Sequence, residues 1–193
     1  MAYYKNPMTF QELNLNTPLY NALDDLGFTT PTPIQEQAFN VVASGRDVVG
    51  IAQTGTGKTF AYMLPILQDL KYSNQISPRV LILVPTRELV IQIVEQIKQV
   101  TTYVDVRVLG VYGGTNINTQ KQAIVQGVDI LVATPRRLYD LALTNVLKLK
   151  TIKKLVIDEV DIMLDFGYRT QLINIFEYLP PKRQNIMFSA TVT

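Results

Sequence analysis

The decisive stretch of this sequence is Ala52-Gln53-Thr54-Gly55-Thr56-Gly57-Lys58-Thr59. A predicted strand at residues 47–52 leads into it, and residues 58–70 follow with apolar side chains at helical spacing. Glycines between a strand and a helix allow a tight turn whose backbone N–H groups point at phosphate oxygens, and the helix N-terminus adds a positive dipole end. This order of elements predicts a phosphate-binding loop, although the generic pattern has glycine where Ala52 stands.

Two side chains at the end of this loop have the chemistry that a nucleotide site needs. Lys58 can reach the β- and γ-phosphates, and the Thr59 hydroxyl can ligate Mg²⁺. The predicted nucleotide-binding residues of the loop are Gln53, Thr54, Gly55, Thr56, Gly57, Lys58 and Thr59.

Short apolar runs rich in Val and Ile alternate with helix-like stretches along the chain. Strands are predicted at residues 47–52, 80–84, 106–111, 130–133, 155–157 and 185–188. Helices are predicted at residues 58–70, 87–100, 118–126, 137–143 and 169–178, after a helical N-terminal segment. This alternation predicts an α/β fold, a mostly parallel sheet with helices on both faces, whose ligands bind beyond the carboxyl ends of the strands.

An acidic segment follows the strand predicted at residues 155–157. It reads Asp158-Glu159-Val160-Asp161. A phosphate-binding loop needs an acidic partner that holds magnesium and orients water, so we assign Asp158 to the metal and Glu159 to the attacking water as general base. Carboxylates are also favoured at helix N-termini, and for this segment taken alone the two interpretations stand level.

The composition excludes several classes of protein. The 193 residues include 18 Lys and Arg and 16 Asp and Glu, so nucleic-acid contacts must come from local sites and not from a broadly basic surface. Without cysteine or histidine, disulfides, thiolate metal sites and imidazole catalysis are excluded. No signal-peptide pattern occurs, and the apolar runs are far shorter than the ~20 residues that span a membrane. We expect a soluble cytoplasmic monomer with no membrane partner.

Further short motifs surround the loop and the acidic segment. They are Gly27-Phe28, Pro31-Thr32-Pro33-Ile34-Gln35, Pro85-Thr86-Arg87-Glu88-Leu89, Gly113-Gly114, Thr134-Pro135-Arg136-Arg137-Leu138 and Ser189-Ala190-Thr191. In this order the whole set resembles the motifs of DEAD-box ATP-dependent RNA helicases over nearly the entire chain. The resemblance implies a RecA-like P-loop fold, ATP and Mg²⁺ as cofactors, and RNA-stimulated ATP hydrolysis coupled to local duplex unwinding or RNA–protein remodelling.

The resemblance also assigns the base-reading residues. Gln35 would hydrogen-bond the adenine edge, Phe28 or Phe10 would pack on the ring, and Thr32 would belong to the same site. An amide offers a donor and an acceptor together, which suits this task. The alternatives are an exposed helix position for Gln35 and a core position for Phe10, because isolated aromatic residues more often belong to the core.

Two more groups take their roles from the resemblance. Ser189 and Thr191 would hydrogen-bond Asp161 and link the nucleotide site to the RNA side. The residues expected along the phosphates of one RNA strand are Thr86, Arg87, Gly114, Thr134 and Arg137. Such backbone contacts carry little sequence information. Arg87 could instead be a helix-start arginine paired with a carboxylate. The basic run Lys148, Lys150, Lys153 and Lys154 reads first as a solvated loop and second as an RNA contact.

The resemblance to this family also implies a division of the chain into two parts. Residues 1–44 would be an N-terminal extension packed on the core, and residues 45–193 the first RecA-like domain. The partner C-terminal RecA-like domain of the same protein, with its arginine fingers, is not in this chain, so we expect the chain alone to hydrolyse ATP barely. Val90 and Val160 stand where the family usually has Ala. Arg136 replaces a Gly, which either weakens a phosphate contact or adds one.

Two rival functions stay in view. One is a different P-loop enzyme, such as a DNA translocase; a GTPase would need an Asn-Lys-x-Asp string, which does not occur. The other is a non-unwinding RNA clamp or scaffold of the same fold, against which the presence of Lys58, Asp158 and Glu159 argues.

Overall fold

The computed structural model describes residues 8–53 and 55–191, and these contain a six-stranded sheet. The strands are β1 (Val48–Ile51), β2 (Val80–Leu83), β3 (Val108–Val111), β4 (Ile130–Ala133), β5 (Lys154–Ile157) and β6 (Gln184–Ser189). Their spatial order is β1-β6-β5-β2-β4-β3, and each neighbouring pair is parallel. The predicted parallel sheet is therefore confirmed.

Eight helices occur in the described part of the chain. They are α1 (Thr17–Asp25), α2 (Pro33–Ala43), α3 (Lys58–Asp69), α4 (Arg87–Val100), α5 (Ile117–Val125), α6 (Pro135–Leu143), α7 (Val160–Asp165) and α8 (Arg169–Tyr178). The bounds of α4, β4 and α8 agree with the prediction, and the other predicted elements differ by one or two residues at their ends. α6 begins at Pro135, two residues early, because proline suits the first turn of a helix. The short helix α7 was not predicted.

Apolar packing covers both faces of the sheet. Along β2, Val80 and Ile82 belong to one buried cluster, whereas Leu81 and Leu83 belong to a second cluster. This alternation follows from the two-residue period of a strand, and the side chains of all four residues are almost fully buried. The first cluster contains residues of α1, α2, α3 and α4, and the second contains residues of α6, α7 and α8. The predicted helical layers on both faces are confirmed.

The described N-terminal residues pack into the same core as the sheet. Phe10, Leu19, Leu23 and Phe39 are buried in the cluster that also holds α3 and α4. The division at residues 44 and 45 stays a prediction. No helix in the described part of the chain is long and apolar enough to cross a membrane.

One buried carboxylate holds the amino ends of three strands together. Asp129, just before β4, accepts hydrogen bonds from Arg79 Nη2 at 2.7 Å and from Arg107 Nε at 2.9 Å. Arg79 lies just before β2 and Arg107 just before β3. Burial alone would raise the pKa of Asp129, but the hydrogen bonds from the two arginines outweigh it and lower that pKa below its usual 3.8.

We predict that Asp129→Asn lowers the free energy of unfolding at pH 7. The expected loss is on the order of 3 kcal/mol. This value is at the lower end of the range for breaking a buried ion pair, because the Arg107 side chain is 33% exposed. A lowered pKa means that the carboxylate stabilises the fold above pH 3.8, and that this contribution disappears as the pH falls through the folded-state pKa. Urea unfolding at several pH values measures both effects.

The exposed Asp24→Asn serves as the matched control for this experiment, because Asp24 lies on the surface of α1. An equal loss in both variants, or a loss in Asp129→Asn that is the same at pH 3 and pH 7, would contradict the proposed role of the carboxylate.

Candidate active site

The predicted motifs all emerge at the carboxyl edge of the sheet. The loop at residues 52–59 follows β1, the acidic segment follows β5, and the segment from Ser189 to Thr191 ends β6. Because β6 pairs with both β1 and β5, its end lies between the other two segments. The backbone joins them, since the Ala52 N–H donates to the Ser189 carbonyl at 3.0 Å. Thr86 and Thr134 follow β2 and β4 at the same edge.

Two glycines give the loop a shape that other residues resist. Gly55 and Gly57 have φ angles of 83° and 90°, in the left-handed region. A Cβ atom on Gly57 would lie 2.5 Å from Gln35 Nε2, so a side chain cannot be accommodated there without displacing Gln35. Gly57 is the N-cap residue of α3, and Lys58 is the first residue of this helix. Thr54 lies outside the described residues.

Lys58 and Asp158 form a buried pair beneath the loop. Lys58 Nζ lies 3.8 Å from Asp158 Oδ1, and both side chains are less than a tenth exposed. Lys58 Nζ nevertheless has no hydrogen-bond partner among the described residues. A buried ammonium with unmade hydrogen bonds is costly, and phosphate oxygens would satisfy it. The residues present therefore fit the phosphates of a nucleotide.

The same residues fit a magnesium ion of the nucleotide-bound kind. The described residues contain no cluster of three or more metal-ligating side chains. Such a cluster is not required, because Mg²⁺ commonly takes one or two carboxylates and completes its shell with substrate phosphates and waters. Asp158 and Thr59 line the cavity beside Lys58 and would supply the protein ligands.

Tyr62 is a residue of the site that the sequence analysis missed. Its ring is fully buried, and its hydroxyl donates to Asp158 Oδ2 at 3.1 Å. The backbone N–H of Glu159 donates to Asp158 Oδ1 at 3.0 Å, so both carboxylate oxygens are held. Burial, and then the charge of Asp158, raise the pKa of Tyr62 well above its usual value, so that the hydroxyl stays a donor. The sequence could have indicated Tyr62 through its position one helical turn after Lys58, which places both side chains on the same face of α3.

The acidic segment combines shifted pKa values with a strained backbone. Burial raises the pKa of Asp158 and of Glu159 above the usual values, against the opposing effect of Lys58. Glu159 also has a φ angle of 56°, in the left-handed region that a residue with a side chain adopts at a cost of about 1–3 kcal/mol. Such features cluster at functional sites.

Asp161 joins the acidic segment to the end of β6. Its Oδ2 accepts from the Thr191 hydroxyl at 3.0 Å and from the backbone N–H groups of Ala190 and Thr191, each at 3.1 Å. Burial raises the pKa of Asp161, but hydrogen bonds, the strongest from the backbone N–H of Ile162, lower it overall. A hydrogen bond from the Ser189 side chain is among the interactions that lower the pKa of Asp161, in line with the expected contact.

The residues predicted to recognise the base line one cavity of about 360 Å³ with Lys58, Thr59, Asp158 and Glu159. They are Phe10, Phe28, Thr32 and Gln35. Phe28 is 45% exposed and packs edge to face on Phe60, with 5.5 Å between the ring centroids. Phe10 is only 2% exposed and belongs to the core cluster, as the alternative interpretation had it. Of the two rings, that of Phe28 is therefore the more accessible.

Gln35 has partners within the protein. Its Oε1 accepts from the Thr32 N–H at 2.9 Å, and its Nε2 donates to the Gly57 carbonyl at 3.1 Å. Gln35 is buried, so the alternative of an exposed helix position is wrong. Each polar atom of the amide keeps one further hydrogen or lone pair, which leaves it able to bind a base edge.

The five residues predicted to contact RNA line a second cavity, of about 610 Å³. They are Thr86, Arg87, Gly114, Thr134 and Arg137. The Arg87 guanidinium lies 5.1 Å from the centre of the Tyr112 ring and pairs with no carboxylate among the described residues, contrary to the alternative interpretation. Arg137 donates to Gln120 Oε1 and to the Thr115 carbonyl, both at 3.0 Å. Arg136 lines the same cavity and adds a positive charge there.

The fold and site define a P-loop nucleotide-binding domain with an adjoining basic groove. Residues 32–193 match the family model of the DEAD/DEAH box helicases, and the chain belongs to this family. It is 42% identical over 190 residues, 95% of the chain, to the pre-mRNA-processing ATP-dependent RNA helicase prp-5 of Neurospora crassa. It is 42% identical over 188 residues, 97% of the chain, to the ATP-dependent rRNA helicase rrp3 of Schizosaccharomyces pombe.

A bacterial relative is similar to the same degree. The chain is 40% identical over 185 residues, 95% of its length, to the ATP-dependent RNA helicase DeaD of Escherichia coli. The matched regions cover 16% of prp-5, 40% of rrp3 and 29% of DeaD. The chain therefore spans well under half the length of these relatives.

We predict that Tyr62→Phe destabilises the protein by about 1–3 kcal/mol at pH 7, since a buried carboxylate loses a hydrogen-bond donor. The lost hydrogen bond favoured the ionised carboxylate, so the substitution raises the folded-state pKa of Asp158 further above 3.8. The destabilisation should therefore shrink as the pH falls through that raised pKa. Urea unfolding between pH 4 and pH 8 measures it.

Tyr178→Phe is the control for this substitution. Tyr178 packs against Tyr139 with 6.2 Å between the ring centroids, and its hydroxyl bonds to none of the described residues. A Tyr62→Phe variant as stable as this control at every pH would contradict the contact.

Proposed function

We propose that the protein containing this chain is an ATP-dependent RNA helicase, and that this chain supplies its ATP-binding half and part of its RNA groove. The observation that carries the proposal is the buried Lys58–Asp158 pair, 3.8 Å apart beneath a glycine-shaped loop, with Lys58 Nζ lacking a hydrogen-bond partner among the described residues. Its relatives are ATP-dependent RNA helicases by name.

In this proposal each side chain of the loop and the acidic segment has one task. Lys58 binds the β- and γ-phosphates through its unsatisfied ammonium group. Thr59 and Asp158 would hold Mg²⁺, which when bound neutralises charge that develops on the phosphates. Tyr62 fixes the Asp158 carboxylate through its hydroxyl. Glu159 orients the attacking water and accepts its proton, a task helped by its raised pKa, since burial makes the carboxylate a stronger base.

Adenine specificity would come from Gln35. The spare donor and acceptor of its amide would pair with the adenine edge, while Phe28 packs on the ring with its exposed face. Gln35 Nε2 also donates to the Gly57 carbonyl, so the side chain that would recognise the base also contacts the loop.

RNA would lie in the groove lined by Arg87, Arg136 and Arg137, at the same edge of the sheet. Backbone phosphates are the natural partners of these guanidinium groups, so the substrate would be RNA with little base preference. Asp161, held by Thr191 at the end of β6, would link the two sites. We propose the cytoplasm as the place of action, where both ATP and RNA are present.

The ATP site would be completed from outside this chain. The described residues that line the nucleotide cavity include one cation, Lys58, and no arginine. An arginine finger contributes about 10³–10⁵ in rate to phosphoryl transfer. We propose that a second RecA-like domain of the same protein supplies it and closes on the groove.

We predict that wild-type chain binds ADP at least about tenfold more tightly than GDP, which corresponds to ~1.4 kcal/mol. Gln35→Glu keeps the acceptor for the Thr32 N–H but lacks N–H donors, so it should lose most of this preference. Both Gln35→Glu and Gln35→Ala lose the Nε2 hydrogen bond to the Gly57 carbonyl, so both should also weaken the binding of either nucleotide, and Gln35→Ala loses the Thr32 contact in addition. Calorimetric titrations with Mg²⁺ measure the affinities.

Gln99→Ala, an exposed glutamine on α4, is the control for the adenine experiment. Equal affinity of the wild type for ADP and GDP, or an unchanged ratio in Gln35→Glu, would reduce the proposal to a P-loop domain of unknown base preference.

We further predict that the chain alone hydrolyses ATP slowly and that single-stranded RNA changes the rate less than about twofold. The reason is the missing arginine, which is worth about 10³–10⁵ in rate. The rate of phosphate release with and without polyuridylate measures the hydrolysis, and the Lys58→Ala variant serves as the inactive control. Robust RNA-stimulated turnover by this chain would overturn the proposed dependence on a second domain.

A further inference from the structure

A third cavity, of about 640 Å³, lies at the opposite edge of the sheet from the nucleotide site. It is lined by the residues at the amino ends of three strands, Val80 of β2, Lys154 of β5 and Gln184 of β6. We call it the amino-edge cleft. It shares no lining residue with the nucleotide cavity or with the proposed RNA groove. Nothing in the proposed helicase mechanism uses it.

The amino-edge cleft concentrates positive charge. Its basic lining residues are Lys71, Arg79, Lys153, Lys154, Lys182 and Arg183. Asp69 is the one acidic residue of the lining within the described part of the chain. Six of the 18 basic residues and one of the 16 acidic residues therefore line it, so the lining has a net charge of +5 and the rest of the chain −3. A chain that is nearly neutral overall thus has one strongly basic cleft, which raises the local concentration of anions.

Most of this charge is not neutralised within the protein. Lys71, Lys153 and Lys182 are exposed, and none pairs with a carboxylate among the described residues. Among the described residues, Arg183 donates only to the Pro180 carbonyl, and its guanidinium packs over the Phe176 ring, 5.6 Å from the centroid. Its buried Nε has no partner among the described residues.

The two basic residues of the cleft that do have acidic partners are fixed in place. Arg79 pairs with the buried Asp129 at 2.7 Å and also donates to the Lys71 carbonyl at 2.6 Å. Lys154 pairs with Asp69 at 3.1 Å and donates to Gln184 Oε1 at 2.9 Å. Arg79 and Lys154 are therefore held by partners within the protein, whereas the three exposed lysines pair with no carboxylate among the described residues.

The lining also indicates the chemistry of the ligand. Among the described residues, no aromatic side chain lines the cleft, and they offer no surface on which a base can stack. Lysine ammonium groups are point charges that bind phosphates without a fixed orientation. A volume of about 640 Å³ falls in the ~300–1,000 Å³ range of ligand pockets and exceeds the needs of one phosphate.

We propose that the amino-edge cleft binds a ligand through several neighbouring phosphate groups, with Lys71, Lys153 and Lys182 as the contacting residues. The backbone of an RNA strand and a small soluble polyphosphate share this chemistry. In either case the site recognises phosphates and not bases. The basic run of residues 148–154, first interpreted as a solvated loop, would thus supply two residues, Lys153 and Lys154, to a binding site.

Calorimetric titration tests the proposal with two probes, inorganic tripolyphosphate and a ten-nucleotide oligouridylate. The variants are Lys153→Glu and Lys182→Glu, and the control is Lys98→Glu, which makes the same change of charge on the exposed side of α4. Any binding of the probes to the P-loop or to the RNA groove is common to all variants. All three lysines are exposed, and thermal unfolding checks that each variant is folded.

We expect both cleft variants to weaken at least one probe by about fivefold or more relative to Lys98→Glu. For the oligouridylate, each lost phosphate contact should also reduce the slope of log K against log salt by about 0.7. Loss confined to the oligouridylate identifies a nucleic-acid backbone as the ligand, and loss confined to tripolyphosphate identifies a small polyphosphate.

Equal weakening by Lys98→Glu and the cleft variants would mean that net charge alone is responsible, and would overturn the proposal. So would wild-type binding of a decaglutamate peptide that exceeds the binding of both phosphate probes and depends on Lys153, because the cleft would then recognise an acidic protein segment. Neither result involves Gln35 or the ADP to GDP ratio, so the proposed helicase function is tested separately.

Discussion

The parallel direction of all six strands is the constraint on which the rest of this structure depends. It brings the carboxyl ends of the strands to one edge, where the loop at residues 52–59, the acidic segment and the basic groove all lie. The order β1-β6-β5 then sets their relationship, because the end of β6 lies between the loop and the acidic segment. Thr191 can therefore bind Asp161 while the Ser189 carbonyl binds Ala52.

The carboxyl edge contains several features that cost stability in the absence of a ligand. Lys58 is buried without hydrogen bonds to the described residues, and burial raises the pKa of both Asp158 and Glu159. Glu159 also has a left-handed backbone. Proteins tolerate such features where function requires them, and the phosphates of a bound nucleotide would satisfy the Lys58 ammonium group. Asp129, at the opposite edge of the sheet, shows the contrast, because this buried carboxylate has a lowered pKa and two arginine partners.

Local patterns explain why much of the fold could be predicted. The run at β4 is continuously apolar and α4 repeats its apolar residues every three to four positions, so both were predicted with their observed bounds. The order of the strands could not be predicted, since pairings such as β1 with β6 join distant residues. The short helix α7 follows the left-handed Glu159, which no periodic pattern reveals. The Tyr62–Asp158 contact spans 96 positions and needed the folded structure.

Gln35 shows how a residue found from its motif can have a wider role than the motif implies. Its amide holds both the Thr32 N–H and the Gly57 carbonyl, so it fixes the start of α2 against the phosphate loop. Gly57 has a left-handed φ angle, and a Cβ atom on it would collide with the Gln35 amide. The side chain proposed to read the base is thus in direct contact with the loop proposed to hold the phosphates. A base that moves the Gln35 side chain would also change its hydrogen bond to the Gly57 carbonyl. The identity of the base could therefore alter the conformation of the proposed phosphate loop through this one side chain.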